Sequence, residues 1–399
     1  MVSVEEATGI IFSHLYKPQK EAIAIVEAAG RVLAESIKAD RDLPPFNRVT
    51  MDGIAIAFEA WQNGQHDFVI DDLQPAGTSP RKLKEWNHAI EVMTGAVLPE
   101  GTDTVIRYED IKRSDTIATV GVPDIQKGQN IHVQGSDAPA QSVLLEPGLV
   151  LSSAEVALLA SIGKSKVEVY SFPKAAVISS GDELIPIDGE PEPYQVRRSN
   201  AYALQSAMRQ MSWEANAFHL PDQREAIIES LMTIKDSHDL LILSGGVSKG
   251  KFDFIPEALH AVGIEKQFHE VQQRPGKPLW FGVSKEGKVA FALPGNPVST
   301  YLGFYRYIKP WVLRSFGLPG QSTQALLAEE FTIDIKLTYF LQVNVKVENG
   351  KLMAYPLAGG GSGDFVNLKN VTGFLELPPG KNRFEAGKLF PYIPFRDIQ

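Results

Sequence analysis

The stretch SGGVSKGKFDF at 244–254 follows the apolar run DLLIL at 239–243. Gly245, four further residues, then Gly250 and Lys251 reproduce the spacing of a phosphate-binding P-loop up to its last position. That position needs a Ser or Thr hydroxyl for Mg2+, and Phe252 stands there instead. A nucleotide-hydrolysing loop is therefore disfavoured, but half of its chemistry survives. Glycines delivered by a strand into a turn can aim backbone N–H groups at an anion. Gly245 and Gly246 are the candidates, and Asp253 stands at the expected start of the next helix, to cap it or hold a cation. An ordinary glycine turn with Asp253 as N-cap explains the same residues.

Other turns carry matching chemistry. ISSGDELI (178–185) places Asp182 and Glu183 side by side after a glycine, a pair suited to Mg2+ together with substrate phosphate oxygens. QRPGKPLWFG (273–282) sets Arg274 and Lys277 on a Pro-Gly turn, two cations for an oxyanion. In ALPGNPVS (292–299), Pro297 suits a first helical position and Asn296 can cap that helix. VTMDGIAI contributes Asp52, and the segment 94–110 adds Glu100, Asp103, Glu109 and Asp110. Asp137 follows in GSDAPA, and GGGSGDF (359–365) offers Ser362 to an anion. The eight histidines, His132 and His269 among them, show no metal spacing, and no G-x-S-x-G elbow is present. Acidic turns and solvated basic turns are the plain alternative for each stretch taken singly.

These turns need elements to position them. Residues 3–35 read as helix, with Ser3 and Glu6 as a capping box. The pattern breaks at DRDLPPFNRVTMDG, and short alternating runs over 54–135 predict a β-rich block. Helix returns in SSAEVALLASIG, with Ser152 and Ser153 placed to cap, so the β-rich block reads as an insertion in a helical domain. From 173 to about 315 strands alternate with helices, predicting a doubly wound, mostly parallel sheet whose ligands bind beyond the strand carboxyl ends. The glycine turns fall at those ends. After FGLPG the remainder alternates as a C-terminal β domain. The fold class is thus multidomain α/β and β, and the site suits a phosphorylated or nucleotide-bearing ligand with a divalent metal.

Composition bounds the rest. The 399 residues are 44% hydrophobic and 22% charged, with a net charge of −9. An acidic chain argues against non-specific nucleic-acid binding. There is no cysteine, hence no disulfide or thiolate site. The N-terminus is acidic and amphipathic, unlike a signal peptide, and no apolar run approaches the roughly 18 residues of a membrane span. A soluble cytoplasmic protein is the expectation, with no nucleic acid and no membrane among its partners.

Together PPFNRVTMDGIA, TGAVLPEGTDTVIRYED, SSGDEL, SNAYAL, LSGGVSKGKFDF, RPGKP, LPGNPVS and GSGDF resemble, in order and over nearly the whole chain, the molybdopterin molybdenumtransferase family, MoeA and the gephyrin E domain. The resemblance implies four domains. Domain I would be residues 1–45 and 140–172, domain II 46–139, the molybdopterin-binding α/β domain III 173–315, and the β domain IV 316–399. It implies a homodimer whose cleft joins domain III of one subunit to domain II of the other. The reaction implied takes adenylylated molybdopterin and molybdate to molybdenum cofactor and AMP with Mg2+. An adenylyltransferase would supply the substrate, and molybdoenzyme apoproteins would accept the product. Asp52, Glu183, Asp222 and Asp253 match catalytic positions, the last three also as metal ligands. Thr94, Gly245, Gly246, Ser248, Arg274, Lys277, Pro294, Pro297 and Ser362 match substrate-binding positions. The chain departs from the family pattern at Lys249, Lys251, Arg198, Arg274 and Gln342. A non-catalytic scaffold, as gephyrin illustrates, and a related enzyme handling tungstate stay open as alternatives.

Overall fold

The computed structural model describes residues 1–247, 254–320, 323–334, 336–357 and 359–397. The chain forms two compact units: residues 23–29 with 33–167, and residues 1–22 and 30–32 with 168–399. The expected capping box is present. Ser3 accepts from the Glu6 N–H and Glu6 from the Ser3 N–H, opening α1 (Val4–Phe12). The helix expected to run on to residue 35 stops there. Lys20–Ala24 is a strand and Ile25–Glu27 a single 3-10 turn. Pro18 and the left-handed Gly30 (φ 83°) bracket a segment rich in β-branched residues. Arg31, Val32, Leu33 and Ala34 are all buried in succession, which one face of a helix cannot achieve. Leu33 instead exchanges backbone bonds with Gly148 and Leu149.

The unit built on 33–167 is β-rich, as its alternation predicts. Its six-stranded sheet comprises β1 (Gly53–Ile56), β2 (Asp67–Gln74), β3 (Ala89–Val92), β4 (Thr104–Arg107), β5 (Ile111–Ser114) and β6 (Ile117–Val120), in the order β4-β1-β3-β2-β6-β5. Strand β1 is buried along its whole length between antiparallel neighbours. Only glycine fits its first position: a Cβ on Gly53 would lie 1.8 Å from the Ile106 carbonyl oxygen. α2 (Ser153–Ser161) is capped by Ser152, whose side chain accepts from the Ala154 N–H, and not by Ser153.

The other unit contains the α/β sheet. Its strands are β7 (Ala175–Ser180), β8 (Ala215–Leu220), β9 (Leu240–Ser244), β10 (Ile264–His269), β11 (Trp280–Ser284) and β12 (Val289–Leu293). The order is β8-β7-β9-β12-β11-β10, the first four parallel and the last two antiparallel. Strand alternation sends Val177, Ile242 and Phe291 into the core that packs α3 (Ser199–Arg209), and Ile178, Leu243 and Ala292 into the core that packs α4 (Arg224–Ser237) and α5 (Ile255–Ala261). Burying each of these side chains other than Ala292 contributes roughly 1.5–3 kcal/mol, several times any difference in local propensity. α6 (Pro297–Gly303) follows β12 and runs through a π-helical turn, Phe304–Ile308, into α7 (Lys309–Ser315).

The C-terminal segment forms β13 (Gln324–Leu327), β14 (Thr338–Glu348), β15 (Lys351–Pro356), β16 (Gly373–Leu377) and β17 (Leu389–Pro394). They pair as β14-β15-β13-β17-β16 and back to β14, closing a ring. The short strand Gln273–Arg274 joins from outside, parallel to β14. Among the described residues no helix is long and apolar enough to cross a membrane.

The close approach at Gly53 gives the first test. Gly53→Ala should destabilise the protein by about 3 kcal/mol or more, because the backbone of β1 or of β4 beside it has to move. Chemical unfolding followed by circular dichroism measures it.

Candidate functional site

Three strands of the α/β sheet, β7, β9 and β12, end side by side, and each runs into a glycine turn. Beyond β9, Gly245 (φ 101°) and Gly246 (φ 65°) hold left-handed conformations that exclude most side chains. A Cβ on Gly245 would also meet the Ser180 carbonyl oxygen at 2.6 Å. The expected backbone cradle needs a correction here. The Gly245 N–H donates to the Leu293 carbonyl at 3.1 Å, so it ties two turns together and is not free for an anion. Ser248, Asp253 and the two lysines Lys249 and Lys251 lie outside the described residues.

Asn200, in the first turn of α3, locks these turns. Its Nδ2 donates to Ser244 Oγ at 2.7 Å and to the Gly295 carbonyl at 2.8 Å, and lies 3.3 Å from Thr300 Oγ1. Thr300 Oγ1 in turn donates to the Pro294 carbonyl at 2.6 Å. Asn200 was visible only as one letter of SNAYAL, with nothing local to mark it as a clamp.

An acidic group forms at the end of β7. Ser180 Oγ donates to Asp222 Oδ1 at 2.9 Å, and the Asp222 N–H donates to Asp182 Oδ1 at 3.1 Å. Glu183 folds its carboxylate back over Gly181, where a Cβ would be 2.5 Å from Oε2. His219 completes the group: burial, then the nearby Arg198 charge, push its imidazole below the ordinary 6.5, while Asp182 and Asp222 oppose them. Its Nδ1 is buried without a hydrogen-bond partner among the described residues. Carboxylate oxygens are the donor set for a hard cation such as Mg2+, which binds one or two carboxylates and fills its shell with substrate oxygens and water. Among the described residues no three acidic or imidazole groups converge tightly enough to hold an ion without such help.

A separate cavity of about 620 Å3 collects the cations. Arg274, Lys277, Pro294, Asn296 and Ser362 line it; Pro297, Glu183 and Asp222 do not. Neither Arg274 nor Lys277 forms an ion pair among the described residues, and both are exposed. The buried Gln273 builds their turn, its Nε2 donating to the carbonyls of Pro275 and Gly276 at 3.1 and 3.2 Å while Tyr307 donates to its Oε1. Asn296 occupies the N-cap position of α6 but does not cap it. The Val298 N–H that it would satisfy donates to the Ser362 carbonyl at 3.1 Å, and Asn296 Nδ2 donates to Ser362 Oγ at 2.8 Å. Ser362 therefore accepts twice, and its hydroxyl hydrogen remains for a ligand. Gln342 holds the same loop through Asn367 Nδ2 at 3.1 Å.

The other unit carries Asp52, whose Oδ1 accepts from the Thr94 N–H at 2.6 Å and from its hydroxyl at 2.8 Å. These two donors, the backbone one first, hold the Asp52 carboxyl below its ordinary 3.8. The neighbouring carboxylates are absorbed structurally. Asp103 accepts from the Phe58 N–H and pairs with Lys127, and Asp110 pairs with Arg107. Asp137 accepts from His132, whose other nitrogen must accept from Arg48 Nη2, since a guanidinium only donates. His269 contacts the Val247 carbonyl at 2.9 Å.

Comparison with known proteins gives a consistent result. Residues 2–163 match the family model for the MoeA N-terminal region (domain I and II), residues 176–314 that for a probable molybdopterin binding domain, and residues 324–395 that for the MoeA C-terminal region (domain IV). A molybdopterin molybdenumtransferase from Synechocystis sp. is 38% identical over 396 residues, covering 98% of this chain and 99% of that protein. One from Staphylococcus epidermidis is 32% identical over 400 residues, covering 98% and 95%. Two structures of the molybdopterin biosynthesis MoeA protein from Pyrococcus horikoshii align with a TM-score of 0.82. They are 29% and 27% identical and cover 100% and 98% of this chain, and 100% and 99% of those chains.

Two outcomes follow from the geometry. Asn200→Ala should lower the unfolding free energy by about 2 kcal/mol, one for each strong hydrogen bond lost, as read from denaturant midpoints. Thr94→Val keeps the backbone donor and loses the hydroxyl. The Asp52 pKa should rise yet stay below 3.8, which carboxyl NMR titration measures. A depressed native pKa stabilises the fold above the unfolded value and loses that effect as pH falls through the native one. The variant should therefore begin acid unfolding at higher pH.

Proposed function

The chain belongs to the MoeA family of molybdopterin molybdenumtransferases, and from that membership we propose that it inserts molybdate into adenylylated molybdopterin, releasing molybdenum cofactor and AMP. One observation supports this most directly. Two unpaired cations, Arg274 and Lys277, share a cavity with Pro294 and the free hydroxyl hydrogen of Ser362, at the sheet edge where a carboxylate group also gathers.

The residues divide the work by charge. Lys277 and Arg274 receive the oxyanion, Ser362 donates to it, and Pro294 and Pro297 shape the turn against which it rests. Gly246 and Ser248 are assigned to phosphate binding. Glu183, Asp222 and Asp253 would hold Mg2+, with Asp182 and Ser180 orienting Asp222. When bound, Mg2+ neutralises charge on the pyrophosphate oxygens, the main requirement for breaking that linkage. Without it these carboxylates would repel the substrate, so metal and ligand bind together. A neutral His219 adds no charge to this balance.

The reading extends to a cytoplasmic homodimer of four-domain subunits, with Asp52 and Thr94 of one subunit serving the other's cleft. An adenylyltransferase delivers the substrate, and molybdoenzyme apoproteins take the product.

Purified protein mixed with adenylylated molybdopterin, Mg2+ and molybdate should release AMP, and chelation of the metal should stop it. Absence of AMP release from the wild type would overturn the reading. Glu183→Ala should remain folded and lose turnover; wild-type turnover in that variant would sink the role given to Glu183.

A further inference from the structure

A second cavity, of about 1130 Å3, shares no lining residue with the first. It lies between the α/β sheet's outer helices and the closed β ring. Gln210 and Met211 at the end of α3, Tyr305 in the π-helical turn and Lys309 at the start of α7 form one side. Lys346 on β14, Lys369 and Arg396 contribute from the ring.

Its charge is one-sided. Four cations, Lys309, Lys346, Lys369 and Arg396, face a single carboxylate, Asp397. None of the four forms an ion pair among the described residues. The chain as a whole carries −9, so the concentration runs against its average. Arg396 is held in place by its own bonds to the carbonyls of Lys369 at 2.6 Å and Leu368 at 3.0 Å. Lys309 lies with its ammonium 5.4 Å from the centre of the Tyr305 ring. Burial pushes the Lys309 ammonium below the usual lysine range, and Asp397 only partly opposes that. A half-buried, unpaired ammonium costs free energy that a bound anion would recover.

We propose that this cavity binds a small molecule carrying two or more phosphate groups. A lone phosphate would engage one or two of the four cations, whereas a chain of phosphates can reach several of them. The volume is ample, since small-molecule sites commonly span about 300–1,000 Å3. The buried rings of Tyr305 and Phe395 supply an apolar wall for an organic portion. Free polyphosphate and a nucleoside triphosphate share the recognised chemistry. The site stands on its own charges and does not depend on the reaction assigned above.

Inorganic tripolyphosphate is the probe, followed by isothermal titration calorimetry on the full chain without Mg2+. Lys277→Ala, which removes a cation of the first cavity, should leave a binding event in place. Lys309→Met with Lys369→Gln should weaken that event about tenfold per removed cation, from the loss of charge-assisted hydrogen bonds. Lys346→Gln with Lys369→Gln, both at exposed positions, tests the same point if Lys309→Met does not fold. Unchanged affinity in these variants, or loss of all binding in Lys277→Ala, would overturn the proposal. Competition with ATP identifies the source. Displacement at lower concentration than tripolyphosphate assigns a nucleotide, and displacement only at higher concentration assigns the free phosphate chain.

Discussion

One side-chain amide holds the candidate site in register. Asn200 reaches from α3 to Ser244 Oγ at the end of β9 and to the Gly295 carbonyl beyond β12. Thr300 Oγ1 reinforces the joint, donating to the Pro294 carbonyl at 2.6 Å and lying 3.5 Å from Ser244 Oγ. Gly245 can then approach Gly295 so closely that a Cβ on Gly295 would be 3.7 Å from the Gly245 Cα. The backbone bond from Gly245 to Leu293 closes the same gap. Everything placed on these turns inherits its position from that contact, including Pro294, Asn296 and the start of α6. Ser362 inherits it at second hand, through Asn296 and Val298.

Charge separation follows from the same arrangement. Carboxylates gather past β7 and β8, while cations gather past β12 and along Gln273–Lys277. Mixing them would produce internal ion pairs worth little at a wet surface and would leave nothing to attract an anionic ligand. Kept apart, each group retains unused capacity. The acidic group keeps oxygens for a cation, and the basic one keeps donors for an oxyanion. Buried partners do the keeping: Gln273 shapes the basic turn through backbone carbonyls, and Ser180 orients Asp222 without neutralising it.

Strands β7, β9 and β12 were legible because they are short apolar runs that end at glycine, and such runs are buried on both faces. The capping box of Ser3 and Glu6 was legible because both partners lie within three residues, and Ser152 stood out as a cap by its type, though its box partner Glu155 did not. The segment 13–35 was not, since its apolar spacing suits a helix while successive burial at 31–34 is a tertiary demand. Edge strands β8 and β10 escaped for a related reason: with one neighbour each, they carry exposed polar residues that blur the pattern. In the site, charged and glycine residues announced themselves by type. Asn200, Gln273 and Ser180 did not, because their partners lie 34 to 100 residues away or, for Gln273, also in the turn it braces from inside. A polar side chain whose work is to orient others has no local signature.

The strand Gln273–Arg274 has an odd allegiance. By chain order it belongs to the α/β domain, between β10 and β11. By hydrogen bonding it belongs to the closed ring, parallel to Thr338 and Tyr339 of β14, with the Thr338 N–H donating to the Gln272 carbonyl at 3.0 Å. Arg274 and Lys277 are thus bolted to the module that lies downstream in sequence. Gene boundaries drawn at residue 316 would cut a chimaera so that the cations came from one parent and their backing strand from another. A functional exchange of C-terminal modules between relatives has to carry residues 272–278 along, and natural recombination at that point would meet the same constraint.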